Sequence, residues 1–244
     1  MRPDWLSSDI VDALVQGVIV TVTLAVVTGA LAFVVGVGAG MMRISRSRAL
    51  RVPAGVFVEV FRNVPALIQI IFWAFAFPSL FPPEQRRTIF FDNAFWDALT
   101  DLTGLLLPYY VVAGCIGLVM NTGAHLAELF RAGAGTIPTE RVDAARSLGA
   151  GRWAVFWMIV LPGALRASWP AITTRLIHNL KNTALVSFVA VPELFNAMQG
   201  AISETFRATE LLTLTAAAYV GLAALFSVVL RQVDVRLHRG RARV

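Results

Sequence analysis

The sequence predicts an all-α integral membrane protein with about five transmembrane helices. Three observations predict it. Apolar residues make up 57% of the 244-residue chain and charged ones only 15%, which is too apolar for an ordinary soluble domain. The charges also cluster, leaving residues 13–42, 64–81, 102–118 and 211–230 without any. Crossing bilayer hydrocarbon takes roughly 20 apolar helical residues, so these runs are of spanning length. The other closed architecture in lipid, a β-barrel, needs a strict apolar–polar alternation that these runs lack.

Arginine placement orders the elements. Arg43, Arg46, Arg48 and Arg51 follow the first run, Arg131, Arg141, Arg146, Arg152 and Arg166 the third, and Arg231, Arg236, Arg239, Arg241 and Arg243 the last. The remaining connections are acidic or sparsely charged, with Glu84, Arg86, Arg87, Asp92, Asp97 and Asp101 in one and Glu204, Arg207 and Glu210 in another. The positive-inside rule makes the three arginine clusters cytoplasmic and the N-terminus external. Parity then requires an even number of crossings between the third cluster and the C-terminal tail, so a fourth span is expected where hydropathy is weakest. The expected spans are about 11–42, 53–81, 103–130, 167–198 and 209–231, with a cytoplasmic loop over about 132–166 and one membrane domain over 1–244. The fourth span carries Arg175, His178 and Lys181. Each charge facing lipid costs about 2.5–3.5 kcal/mol on insertion scales, so that helix is expected to turn them toward the bundle interior or a water-filled path. Residues 153–165 are too short to cross and read as an interfacial or re-entrant helix ended by Pro162 and Gly163.

The net charge of +6 does not call for nucleic acid, since the arginines stand at span ends where headgroups and orientation account for them. The single cysteine, Cys115, excludes an internal disulfide. Asp4, Asp9 and Asp12 stand where a cleavable signal would be basic. Lys181 is the only lysine and lies in no Gly-x-x-x-x-Gly-Lys-[Ser/Thr] loop, so the chain carries no Walker-type ATPase, and His-Glu-x-x-His and Gly-x-Ser-x-Gly are also missing.

Within the 132–166 loop lies Asp143-Ala144-Ala145-Arg146-Ser147-Leu148-Gly149, followed after nine residues by Ile159-Val160-Leu161-Pro162. Asp143 is suited to a helix N-terminus. Ala144 and Ala145 allow close approach, Leu148 offers an apolar plug, and Gly149 permits a turn with positive φ. The plainer reading is an amphipathic loop helix. Two stripes of polar residues lie deep in the apolar sequence. Asn121, His125 and Glu128 share one helical face, and Arg175, His178 and Asn182 share another beside Lys181. Such residues line a path or fasten the bundle; Glu128–Arg131 and Glu59–Arg62 are the ion pairs the second reading expects. No His-x-x-x-His pair supports a metal site.

The loop spacing resembles the "EAA" loop of bacterial ATP-binding-cassette importer permeases: Glu-Ala-Ala, three residues, Gly, nine residues, Ile, one residue, Leu-Pro, with Asp143 in place of the glutamate. The polar-amino-acid branch of that family is resembled by Glu59-Val60-Phe61-Arg62-Asn63-Val64-Pro65-Ala66-Leu67-Ile68-Gln69. It is resembled also by Asn121 to Arg131, where His125 replaces a usual aromatic, and by Leu180 to Ser187, where Asn182 replaces a common aspartate. The resemblance implies a type I importer-like fold and a non-catalytic permease in the bacterial inner membrane that carries a polar amino acid by alternating access. It implies ATP and Mg on a cytoplasmic ATPase dimer and no cofactor on this chain. It also implies a second permease chain, identical or paralogous, and an extracytoplasmic solute-binding protein. Asp143, Ala144, Ala145, Arg146, Leu148 and Gly149 would then couple to the ATPase. The rival is an autonomous ion-coupled carrier with Glu128 or His125 as proton site; five spans without an internal duplicate argue against it.

Overall fold

A computed structural model describes residues 7–90 and 108–238, with side chains as far as residue 235. The start of the expected third span and the tail arginines Arg239, Arg241 and Arg243 lie outside the described residues, as do Asp4, Asp92, Asp97 and Asp101. Every element among the described residues is helical: α1 (Ser8–Arg43), α2 (Arg48–Asn63), α3 (Ala66–Ser79), α4 (Pro83–Phe90), α5 (Tyr109–Gly135), α6 (Thr139–Ser147), α7 (Arg152–Val189), α8 (Leu194–Thr205) and α9 (Ala208–His238). Four of them, α1, α5, α7 and α9, are long and apolar enough to cross a membrane, and the bent pair α2–α3 makes a fifth if it counts as one span.

The bundle is built on the α1–α5 seam. Small residues dominate the face α1 buries: besides Ile10 and Leu24 it holds Gly17, Thr21, Ala25, Thr28, Gly29, Ala32, Gly36 and Gly40. Lipid tails are as apolar as leucine, so helices associate in a bilayer mainly by close packing and hydrogen bonds, which small residues permit. A Cβ on Gly36 would sit 2.5 Å from Leu126 Cβ, and one on Gly40 would sit 2.7 Å from Phe130. The polar atoms of this seam are tied across three helices. Asn179 of α7 donates to Thr28 Oγ1 of α1 at 2.8 Å and accepts from Thr122 Oγ1 of α5 at 2.7 Å, while Thr28 Oγ1 donates to Leu24 O at 2.6 Å.

The expected second span over 53–81 is two helices meeting at 108°. Pro65 causes the break: it has no N–H, and its ring drives Val64 into an extended conformation at φ −87 and ψ 129. Gln69 closes the broken corner, its amide donating to Phe61 O at 2.9 Å and Val64 O at 2.8 Å.

Pro162 does not end a helix, contrary to the expectation for 153–165. Helix α7 runs from Arg152 to Val189 without interruption. A π turn at Phe156–Val160 stands two residues before Pro162, and another at Phe72–Ala76 stands two residues before Pro78. The wider turn takes up the proline ring and the missing hydrogen bond that would otherwise break the ladder. The far end of α7 is also earlier than residue 198. It tightens into a 3-10 segment at Thr183–Val189, Ala190 adopts the left-handed conformation at φ 62, and a new helix starts at Leu194.

Glu193 caps α8 and joins it to its neighbours. It is fully buried, accepts from the N–H groups of Phe195 and Asn196 at 2.9 and 2.8 Å, and takes the Tyr219 hydroxyl of α9 at 2.7 Å and the Thr21 hydroxyl of α1 at 3.4 Å. A buried carboxylate is tolerated when hydrogen bonds replace its water in this way.

Candidate functional site

The two polar stripes meet across one cavity. It has a volume of about 330 Å³ and is walled by Arg62 of α2, His125, Glu128 and Leu129 of α5, and Ala171, Thr174, Arg175 and His178 of α7. Of the six residues expected to line a path, four wall this cavity: His125, Glu128, Arg175 and His178. The other two lie elsewhere. Asn121 is buried, its amide nitrogen donating to Phe61 O at 3.1 Å and Val64 O at 3.4 Å, so it shares the α2–α3 corner with Gln69. Asn182 stands just before the 3-10 segment, without a side-chain capping bond, and lines no part of this cavity.

Arg175 links corner and cavity. One guanidinium nitrogen donates to Asn121 Oδ1, and another lies 3.2 Å from His178 Nδ1. Its position follows from α7, which places residues 171, 174, 175 and 178 on one side at helical spacing. His125, half-buried, reaches the same space from α5, so the cavity is the room a histidine inside an apolar helix needs.

Glu128 is a junction. Its carboxylate faces Arg131 at 2.6 Å, Arg43 from the end of α1 at 3.2 Å, and Arg62 from the end of α2 at 4.0 Å. The expected Glu128–Arg131 pair is present. The Glu59–Arg62 pair is not among the described ion pairs; Arg62 turns to Glu128, and Glu59 accepts from Asn63 at 3.4 Å. Four arginines and one glutamate thus surround or border the cavity, which leaves it cationic. Among the described residues, no group of three His, Cys, Asp or Glu side chains is arranged to hold a metal.

The loop motif folds as α6. Asp143 stands in the middle of this helix rather than at its N-terminus, where Glu140 is the acid of the first turn, so it has no capping role. Its carboxylate lies 3.7 Å from Arg146 and its carbonyl accepts the Ser147 hydroxyl at 3.0 Å. The C-terminal end is a Schellman cap. Ala150 N donates to Ala145 O at 3.0 Å, Gly149 N donates to Arg146 O at 2.9 Å, and Gly149 takes φ +84. The helix buries none of its residues, and Leu148 is 90% exposed. Asp143, Ala144, Arg146, Leu148 and Gly149 are all exposed, with Ala145 half-buried.

Residues 32–242 match the family described as "binding-protein-dependent transport system inner membrane component". The chain belongs to this family. Among its relatives, the octopine transport system permease protein OccM of Rhizobium radiobacter is 31% identical over 85% of this chain and 79% of its own length. The glutamine transport system permease protein GlnP of Escherichia coli K12 is 29% identical over 97% of this chain and 99% of its own. The fold is shared with a solved amino acid ABC transporter with histidines, at TM-score 0.74 and 24% identity over 97% of this chain and all of that one. It is shared as well with the inward-facing MetNI methionine ABC transporter, at TM-score 0.72 and 20% identity over 96% and 100%. The architecture is therefore that of a type I ABC importer permease, and the chain is a membrane-spanning permease subunit rather than a secondary carrier.

Sequence reasoning missed Gln69, Asn179 and Glu193. Gln69 had a local signal, a long amide four residues after a helix-breaking proline inside an apolar run. The partners of Asn179 and Glu193 lie in other helices, Thr28 at a separation of 151 residues and Thr21 at 172, and nothing local announces them.

Proposed function

We propose that this permease carries a polar amino acid across the bacterial inner membrane, powered by ATP and Mg held on a cytoplasmic ATPase dimer. A second permease chain, identical or paralogous, completes the path, and an extracytoplasmic solute-binding protein delivers the substrate. The near end-to-end match to a glutamine permease carries this reading, and the match to an octopine permease keeps it within amino acids and their derivatives. In this scheme the N-terminus is external and the C-terminus cytoplasmic, as arginine placement requires.

The exposed α6 supplies the contact with the ATPase. Leu148 enters an apolar groove, while Ala144, Ala145 and Gly149 let the partner backbone approach. Closure of the ATPases on ATP draws the α6 helices together and swings the bundles between inward- and outward-open states. Substrate passes the cavity between α5 and α7, where Arg62 and Arg175 offer donors to its carboxylate and His125 and His178 flank it.

Reconstitution with the genetically adjacent ATPase and binding protein tests the reading. Hydrolysis should rise when the loaded binding protein is added, with amino acids as the active ligands. Uptake by the permease alone down an ion gradient would refute it in favour of the carrier.

A further inference from the structure

A second cavity, on the α6 side of the molecule, joins an apolar lining to cationic side chains from three elements. It encloses about 490 Å³ where the apolar part of α1 gives way to the arginine-rich turn before α2. Its floor is apolar and includes Phe156 and Val160, the first and last residues of the π turn in α7. The wider turn holds both against the cavity. Its rim carries Arg46 from the α1–α2 turn, Arg146 from α6 and Arg152 from the start of α7. No acidic side chain lines it. Arg146 has Asp143 at 3.7 Å, a pair whose side chains are 45% and 70% exposed and which therefore neutralises little. Neither Arg46 nor Arg152 has an ion-pair partner among the described residues. Trp153, 77% exposed, also lines the cavity next to Arg152, and exposed indoles favour the headgroup layer of a bilayer.

We infer that this cavity binds an anionic glycerophospholipid of the leaflet on the α6 side, its phosphate held by Arg46, Arg146 and Arg152 and one acyl chain laid along Phe156 and Val160. Three guanidinium groups lining one cavity match a phosphodiester of net negative charge and repel the choline of a zwitterionic lipid, and the apolar lining distinguishes a lipid from a free anion, which would gain nothing from it. The bound lipid joins α1, α6 and α7 at the foot of the motif that meets the ATPase.

Gly38 provides a test that leaves the charges alone. It lines the cavity, and a Cβ there meets nothing within 4 Å, so Gly38→Phe introduces bulk at the cavity wall from an uncrowded backbone position. The full-length permease in detergent is titrated with phosphatidylglycerol and, separately, phosphatidylcholine, and retained lipid is read by native mass spectrometry. Phosphatidylglycerol should be retained and phosphatidylcholine not. Arg46→Gln combined with Arg152→Gln should weaken phosphatidylglycerol roughly thirtyfold. Gly38→Phe should abolish retention with an unchanged melting temperature. Equal retention of the two lipids overturns the inference, as does wild-type binding by both variants. Displacement by inorganic phosphate at matched concentration would make this a soluble-anion site and overturn it also. None of these readings depends on transport.

Discussion

In the α1–α5–α7 bundle, Asn179 is fully buried and both ends of its amide are engaged, whereas in α6 no residue is buried and hydrogen bonds serve mainly to close the helix at Gly149. The two regions face different solvents. Inside a bilayer an unpaired polar group costs several kcal/mol, so the bundle satisfies its polar atoms across helices and becomes rigid around them. A helix at the surface has water for its polar atoms, and its apolar Leu148 is left free for another protein. If α6 is the coupling element proposed above, stability and coupling lie in separate parts of the chain, and substitutions should separate them.

Gly36→Leu tests the rigid side most severely. The first added carbon meets Leu126 at 2.5 Å, so α1 and α5 must part. A loss of about 3 kcal/mol is expected, seen as a collapse in yield of monodisperse protein and in detergent melting temperature. A variant that melts like the wild type would mean the seam is not the foundation of the bundle.

Glu193→Ala should come next, at about 2–3 kcal/mol, because it leaves the Phe195 and Asn196 amides and the Tyr219 hydroxyl without their acceptor. Glu193→Gln keeps one carbonyl oxygen and should recover part of the loss in the same melting assay.

The α6 substitutions should behave in the opposite way. Gly149→Arg imposes a left-handed conformation on a residue with a Cβ, about 1–2 kcal/mol felt only by the cap, and Leu148→Ser imposes no strain. Both should melt with the wild type yet lose co-purification with the ATPase or stimulation of its hydrolysis, by about tenfold or more. Normal transport by both would remove α6 from coupling.

His125→Leu is the mildest. It should leave melting and ATPase assembly unchanged and alter the rate or the substrate preference of transport several-fold, since His125 lines the cavity. Unchanged transport would make His125 a structural residue.

Much of this division was legible in the sequence because it rests on local patterns. Uncharged length located α1, α5 and α9, arginine placement put α6 beside the basic turns, and the i, i+4, i+7 spacing of Asn121, His125 and Glu128 placed the last two on one cavity wall. Three things were not legible. Pro162 read as a helix end because a π turn, invisible to composition, absorbs it. Asp143 read as a cap because the helix was expected to start at the motif, while it starts at Thr139. Asn121 read as path-facing because helical spacing gives its face but cannot show that Phe61 and Val64 from another helix reach it first.

The corner at Pro65 bears on ion coupling. Carriers that run on sodium use the bare carbonyls of unwound helices to replace the ion's water. Here the carbonyls of Phe61 and Val64 each already receive two amide donors, one from Gln69 and one from Asn121. A carbonyl oxygen has two lone pairs, so neither of these has one left with which to strip the hydration shell from a passing cation. The same interruption of a membrane helix that serves elsewhere as a cation ligand is here a sealed joint, and a sodium gradient finds no purchase on it.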